Sequence, residues 1–179
     1  MKLLRTLFLV LIFAACRPLL APIPATPTET PADPANPPQC AYVWARQALP
    51  ELSAQVQQAF DEAGMSGVTA RAGAYGENCV DAQGKVVSFS TMETDFYVIA
   101  EVTDLTDNEN LGNILEDLLI VLDGFPPDET PGPQPGYIGV TFQAGDDLLN
   151  LWFSVTAGED ARKQGLHGSA LFNALYRKP

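Results

Sequence analysis

Histidine is nearly missing from the 179 residues: His167 is the only one. A multi-histidine zinc site is thereby excluded, and an imidazole base can only be that side chain. Basic charge is scarce too. No Lys or Arg occurs between Lys85 and Arg162, a span that holds 15 Asp and Glu residues. The whole chain has 22 acids against 10 bases, a net charge of −12. A field of that sign repels phosphate backbones, so nucleic acid is not expected as a partner. Neither a P-loop nor a dinucleotide fingerprint occurs, and the G-x-S-x-G elbow is missing. No cofactor is expected. No segment repeats at a fixed period.

What the chain does have is an ordered change of composition. Met1 to Arg5 (MKLLR) is basic, and Thr6 to Ala15 (TLFLVLIFAA) is a ten-residue apolar run. As a helix the run spans only about 15 Å, roughly half a bilayer core. That suits a signal-peptide core better than a transmembrane anchor. Arg17 and Pro18 end it, and its last residues are Phe13-Ala14-Ala15-Cys16. This segment resembles the lipobox of bacterial lipoproteins, where two small residues precede a cysteine that receives diacylglycerol and becomes the mature N-terminus. The resemblance covers residues 1–16. It implies a cleaved signal peptide over 1–15, acyl chains such as palmitate on Cys16, and a membrane as partner through that lipid. The protein would then sit on the extracytoplasmic face of a cell membrane or outer membrane. Two or more acyl chains suffice for stable attachment. An ordinary signal peptide with an incidental Cys16, or a short uncleaved anchor, are the alternatives.

Residues 16–39 read as the lipidated cysteine and a stalk. Arg17 to Gln39 holds eight prolines in 23 residues, which removes backbone donors and favours polyproline II. Extended, it reaches roughly 70 Å. It serves either as a spacer or as a leader with no length requirement. From Cys40 the composition turns globular, and residues 40–179 have the size of one domain. Hydrophobic residues make up 46% of the chain, enough for a core.

Pattern predicts a helix over Leu49 to Ala63, with Pro50 at its start, Gly64 after its end and a stripe of Leu52, Val56, Ala59, Phe60 and Ala63. Strands follow at Val68 to Ala74, Val86 to Thr91 and Asp95 to Val102. Thr106 and Glu109 have capping-box spacing for a second helix to Leu122. Tyr137 to Phe142 and Leu148 to Val155 read as a hairpin, and a helical region broken at Gly165 and Gly168 closes the chain. The order α-β-β-β-α-β-β-α suggests an α+β fold, with a five-stranded, mainly antiparallel sheet and helices packed on one face.

Candidate chemistry is thin. With Cys16 lipidated, Cys40 and Cys79 form an even pair for a disulfide in an oxidising compartment. His167, in a turn-like break, reads as a surface or capping residue, with Ser154 and Ser169 the available hydroxyls. Asp104, Asp107, Glu109 and Asp123 offer oxygens to calcium but lack EF-hand spacing, so no metal is expected. Asp146 and Asp147 suit a hairpin turn. No catalytic residue is nominated. The nominated binding face is Tyr97, Tyr137, Leu148 and Trp152, for an unknown protein or small ligand, unless a segment near Trp44 covers it. The function expected is a non-enzymatic binding or envelope-associated module. A cell-surface hydrolase using His167 or an acidic pair is the alternative, and a purely structural envelope role is a third. Cys16→Ser should abolish incorporation of radiolabelled palmitate and leave the leader attached. Undiminished labelling of that variant would disprove the lipobox assignment.

Overall fold

Residues 39–176 are described by the structure, a computed structural model. The expected signal peptide, Cys16 and nearly all of the expected stalk lie outside the described residues. Nine elements follow in order: β1 (Ala41–Ala48), α1 (Pro50–Glu62), β2 (Val68–Val80), β3 (Val86–Glu101), α2 (Asn108–Leu122), β4 (Gln134–Ala144), β5 (Asp147–Ser154), α3 (Val155–Lys163) and α4 (Gly168–Leu175). The described residues belong to one compact unit. Among the described residues no helix is long and apolar enough to cross a membrane.

The α+β class holds, with five strands and four helices, but the sheet is mixed rather than mainly antiparallel. Its strand order is β1-β2-β3-β4-β5. Pairings β1/β2, β2/β3 and β4/β5 are antiparallel, whereas β3 and β4 are parallel. The cause is α2. A helical crossover returns the chain to the starting end of its neighbour, which a tight turn cannot do. The element order also differs, because an additional strand, β1, precedes α1. It escapes pattern analysis because nearly all its residues are exposed, so its two faces show little contrast. The strands expected at Val86 to Thr91 and Asp95 to Val102 are one strand, β3. The polar residues between them stay on the ladder, with Glu93 opposite Tyr75 and Thr94 opposite Ala74.

One cluster forms the core. Phe96, Val98 and Ala100 of β3, Ile138, Val140 and Phe142 of β4, and Leu151 and Phe153 of β5 point to the same side. Against them lie Val56 and Phe60 of α1, Leu111, Leu115, Leu118 and Leu122 of α2, and Leu171 and Phe172 of α4. Each such side chain contributes about 1.5–3 kcal/mol on burial. The β4–β5 hairpin turns through Gly145 and Asp146, with Gly145 at φ +61°. Cys40 and Cys79 are joined, with Cα atoms 5.0 Å apart and a sequence separation of 39. Closing a loop of that size contributes about 4 kcal/mol by restricting the unfolded chain.

Helix termini correct one detail of the sequence pattern. The cap of α2 is Asp107, whose side chain accepts the Asn110 N–H at 3.0 Å. Thr106 instead donates its hydroxyl to Asp104. Glu109 does not reach back to its own cap; its Oε2 accepts the Ser169 N–H at 2.8 Å, at the start of α4. That backbone bond holds the Glu109 carboxyl below the usual carboxylate range. The contact requires two glycines. A Cβ on Gly112 would stand 1.8 Å from the Gly168 carbonyl oxygen, and Gly168 itself has φ +51°. Gly112→Ala should therefore lower stability by about 1–3 kcal/mol or more, read as a drop in the denaturant midpoint. An unchanged midpoint would show that the two backbones do not touch.

Candidate functional site

Strand alternation sends one set of side chains into the core and the other onto the opposite face of the sheet. On that opposite face Trp152 lies across from Gly139 and Leu148 across from Gln143. Trp152 is 44% exposed, Tyr137 38% and Leu148 57%. Gly139 makes room for the indole, since a Cβ there would lie 2.6 Å from Cζ3 of Trp152. The indole is nearly parallel to Tyr137, with centroids 5.6 Å apart and planes 5° apart. Tyr97 also stands 5.6 Å from the indole, tilted by 38°. The Arg71 guanidinium sits 4.0 Å over the Tyr97 ring. The result is a chain of contacts, Arg71–Tyr97–Trp152–Tyr137, drawn from four adjacent strands. Trp44 does not cover it. That ring belongs to β1 and stacks on Tyr75 at 5.2 Å, with Arg46 over the same tyrosine.

Asp95 connects the two aromatic groups. It is 1% exposed, where the β3/β4 register shifts between Thr94 and Phe96. Its Oδ1 accepts the Tyr137 N–H at 3.0 Å, and its Oδ2 accepts the Tyr97 hydroxyl at 3.3 Å. Arg46 Nε stands 3.9 Å from Oδ2. Burial, and then the charge of Asp95, raise the pKa of the Tyr97 hydroxyl, with Arg46 opposing, so the hydroxyl stays a donor. The Glu93 carboxyl is likewise raised, first by burial and then by Asp95, with Arg46 again opposing.

Beside the aromatic row lies a pocket of about 370 Å³, whose polar lining comprises Thr69, Arg71, Thr141 and Asn150 together with Tyr97 and Trp152. A larger cleft of about 530 Å³ opens on the helical side, between α2, α3 and the loop at Phe125 to Pro127. Its floor is apolar and its rim carries ion pairs: Arg162 with Asp123, and Lys163 with Glu159. His167 is on that rim, its Nδ1 at 2.8 Å from Glu116 Oε1. His167 occupies the N-cap position of α4, but its side chain makes no capping bond. No Ser, Thr or Cys lines this cleft. Ser154 caps α3 by accepting the Ala157 N–H, and Ser169 offers its N–H to Glu109.

The acids considered for calcium are dispersed among other partners. Asp104 accepts from Thr106, Asp107 caps α2, Glu109 caps α4 and Asp123 faces Arg162. Among the described residues no three His, Cys, Asp or Glu side chains converge as a metal site. The four nominated residues do share a face, with Leu148 at its β5 end. Pattern analysis overlooked Arg46, Arg71, Tyr75 and Asp95. Arg71 was visible on a strand, but its seat over Tyr97 depends on the β2/β3 register.

Compared with protein-family models, curated proteins and solved structures, the chain matches none. Function must therefore be argued from the site itself.

Glu93 gives a pH test. A carboxyl whose folded pKa is raised subtracts stability above that pKa, and the deficit disappears below the unfolded value near 4.5. Glu93→Gln should raise the thermal midpoint at about pH 7 and lose that advantage towards about pH 4. An advantage that grows on acidification would contradict the assignment.

Proposed function

We propose that the protein is an extracytoplasmic lipoprotein, held to a membrane by acyl chains on Cys16, whose domain binds a protein, peptide or small ligand on the open sheet face. The observation that carries the binding reading is the row of partly exposed rings Tyr97, Trp152 and Tyr137 on that face. Aromatic rings offer large contact area at little conformational cost, which makes them effective binding anchors. Here they are held in advance by one another, by Gly139 and by Asp95, so little ordering remains at the moment of binding. The Cys40–Cys79 bond is in keeping with an oxidising compartment. The acidic surface disfavours nucleic acid and leaves ligands that are uncharged or cationic, or anionic only where a basic side chain such as Arg71 meets the charge.

A second reading rests on the His167–Glu116 contact at the mouth of the larger cleft. A carboxylate on Nδ1 can orient an imidazole so that Nε2 takes a proton from water, the chemistry of a hydrolase without a protein nucleophile. A panel of chromogenic esters tests it. Activity that falls about 100-fold in His167→Ala supports it, and activity unchanged in that variant removes it.

The sheet-face reading is tested by amide chemical-shift mapping with a panel of short peptides and oligosaccharides. Shifts are expected at Tyr97, Tyr137, Gly139 and Trp152, and Trp152→Ala should weaken binding about tenfold while preserving the thermal midpoint. Shifts confined to the helical side would overturn it.

A further inference from the structure

The pocket beside Trp152 has a distinctive charge. In a chain with 22 acids, none of the residues lining it is acidic, and one is a guanidinium, Arg71. The other arginines of this part of the chain differ. Arg46 faces Asp95 and Arg162 faces Asp123, as Lys163 faces Glu159. Among the described residues no carboxylate lies within ion-pair distance of Arg71, whose guanidinium rests on the Tyr97 ring. Stacking leaves the edge of a guanidinium, with its fork of N–H donors, open to a carboxylate.

The rest of the lining is chemically mixed in a particular way. Tyr97 and Trp152 supply ring faces. Thr69, Thr141 and Asn150 supply short neutral hydrogen-bonding groups, and Thr141 donates to Asn150 Oδ1 at 2.7 Å, which leaves the Asn150 NH₂ as a donor. The volume of about 370 Å³ falls within the range of small-ligand sites. An extended peptide that binds by strand addition needs an unpaired backbone edge. This pocket lies over β2 to β5, and its β3 and β4 flanks are paired on both sides. A ligand here meets side chains rather than an open backbone edge, and the lining of ring faces and short polar groups is complementary to a flat apolar face with polar substituents. A pyranose ring has that form, with an apolar C–H face and a rim of hydroxyls.

We infer that this pocket binds a carboxylated sugar, a hexuronate or its like within an oligosaccharide, with its C–H face on Trp152 and Tyr97 and its carboxylate on Arg71. This rests on the sheet-face reading above and names its ligand class. Trp152 and Tyr97 give affinity for the ring, and Arg71 selects the acid over the neutral hexose.

The test uses the full chain in a Trp44→Phe background, so that Trp152 is the only indole, titrated by fluorescence. The probes are a panel of hexuronate tetrasaccharides, the neutral hexose tetrasaccharides of matching linkage, and a decaproline peptide. A saturable change with the acidic sugars is expected, about tenfold weaker for the neutral ones. Arg71→Met, which keeps the stem but removes the charge, should erase that preference while the domain stays cooperatively folded. Equal affinity for acidic and neutral sugars, or an unchanged preference in Arg71→Met, would overturn the inference. Binding of decaproline with no response to any sugar would overturn it while leaving the sheet face as a binding site. Silence towards every probe would overturn the sugar assignment. Amide mapping with the wider panel then reports separately on the sheet-face reading.

Discussion

A single buried carboxylate organises the exposed half of this sheet. Asp95 sits where β3 and β4 lose register, and it replaces a missing ladder partner by accepting the Tyr137 N–H. A buried backbone donor left unpaired costs about 1–3 kcal/mol, so the parallel junction leans on this side chain. The same carboxylate receives the Tyr97 hydroxyl and faces Arg46. The irregularity that lets β4 begin is therefore also the point from which the aromatic row is positioned. Gly136 fits the same logic, since a Cβ there would lie 2.0 Å from the Thr94 carbonyl oxygen and 3.0 Å from Asp95 Oδ1.

The two sides of the sheet are built by different means. The helical side is held by apolar area and by close backbone approach at Gly112 and Gly168, with Glu109 capping a helix other than its own. The opposite side is held by rings, guanidinium groups and one buried acid. Such a surface stays ordered without a covering layer because its groups satisfy one another laterally, across strands rather than through a second sheet. A pre-ordered surface loses little entropy when it acquires a ligand.

Much of this was legible in the residues. Periodicity located α1, α2 and the β4–β5 hairpin, because each sets an apolar stripe against a polar background. The pairing of Cys40 with Cys79 followed from parity once Cys16 was assigned to lipid, and the face shared by Tyr97, Tyr137, Leu148 and Trp152 followed from alternation. What was not legible depended on register. β1 carries almost no contrast between its faces, so nothing local announces it. The span from Thr91 to Asp95 looks like an interruption until Gly73 and Ala74 are seen opposite it. The direction of β4 is set by the path of α2 over the sheet, which no local pattern encodes. Asp95 and Arg71 went unnominated because contacts that define their roles, with the Tyr137 N–H and the Tyr97 ring, join positions 42 and 26 apart.

The position of the disulfide has a mechanical consequence. Cys40 stands immediately before β1, and its partner Cys79 lies near the far end of β2. Tension arriving along the backbone from the N-terminal side would cross the sulfur bridge into β2 and bypass the hydrogen bonds between β1 and β2. The first strand and α1 lie inside that covalent loop and carry none of the pull. An edge strand that would otherwise peel away first is thus sheltered, and tugging loads the interior of the sheet instead.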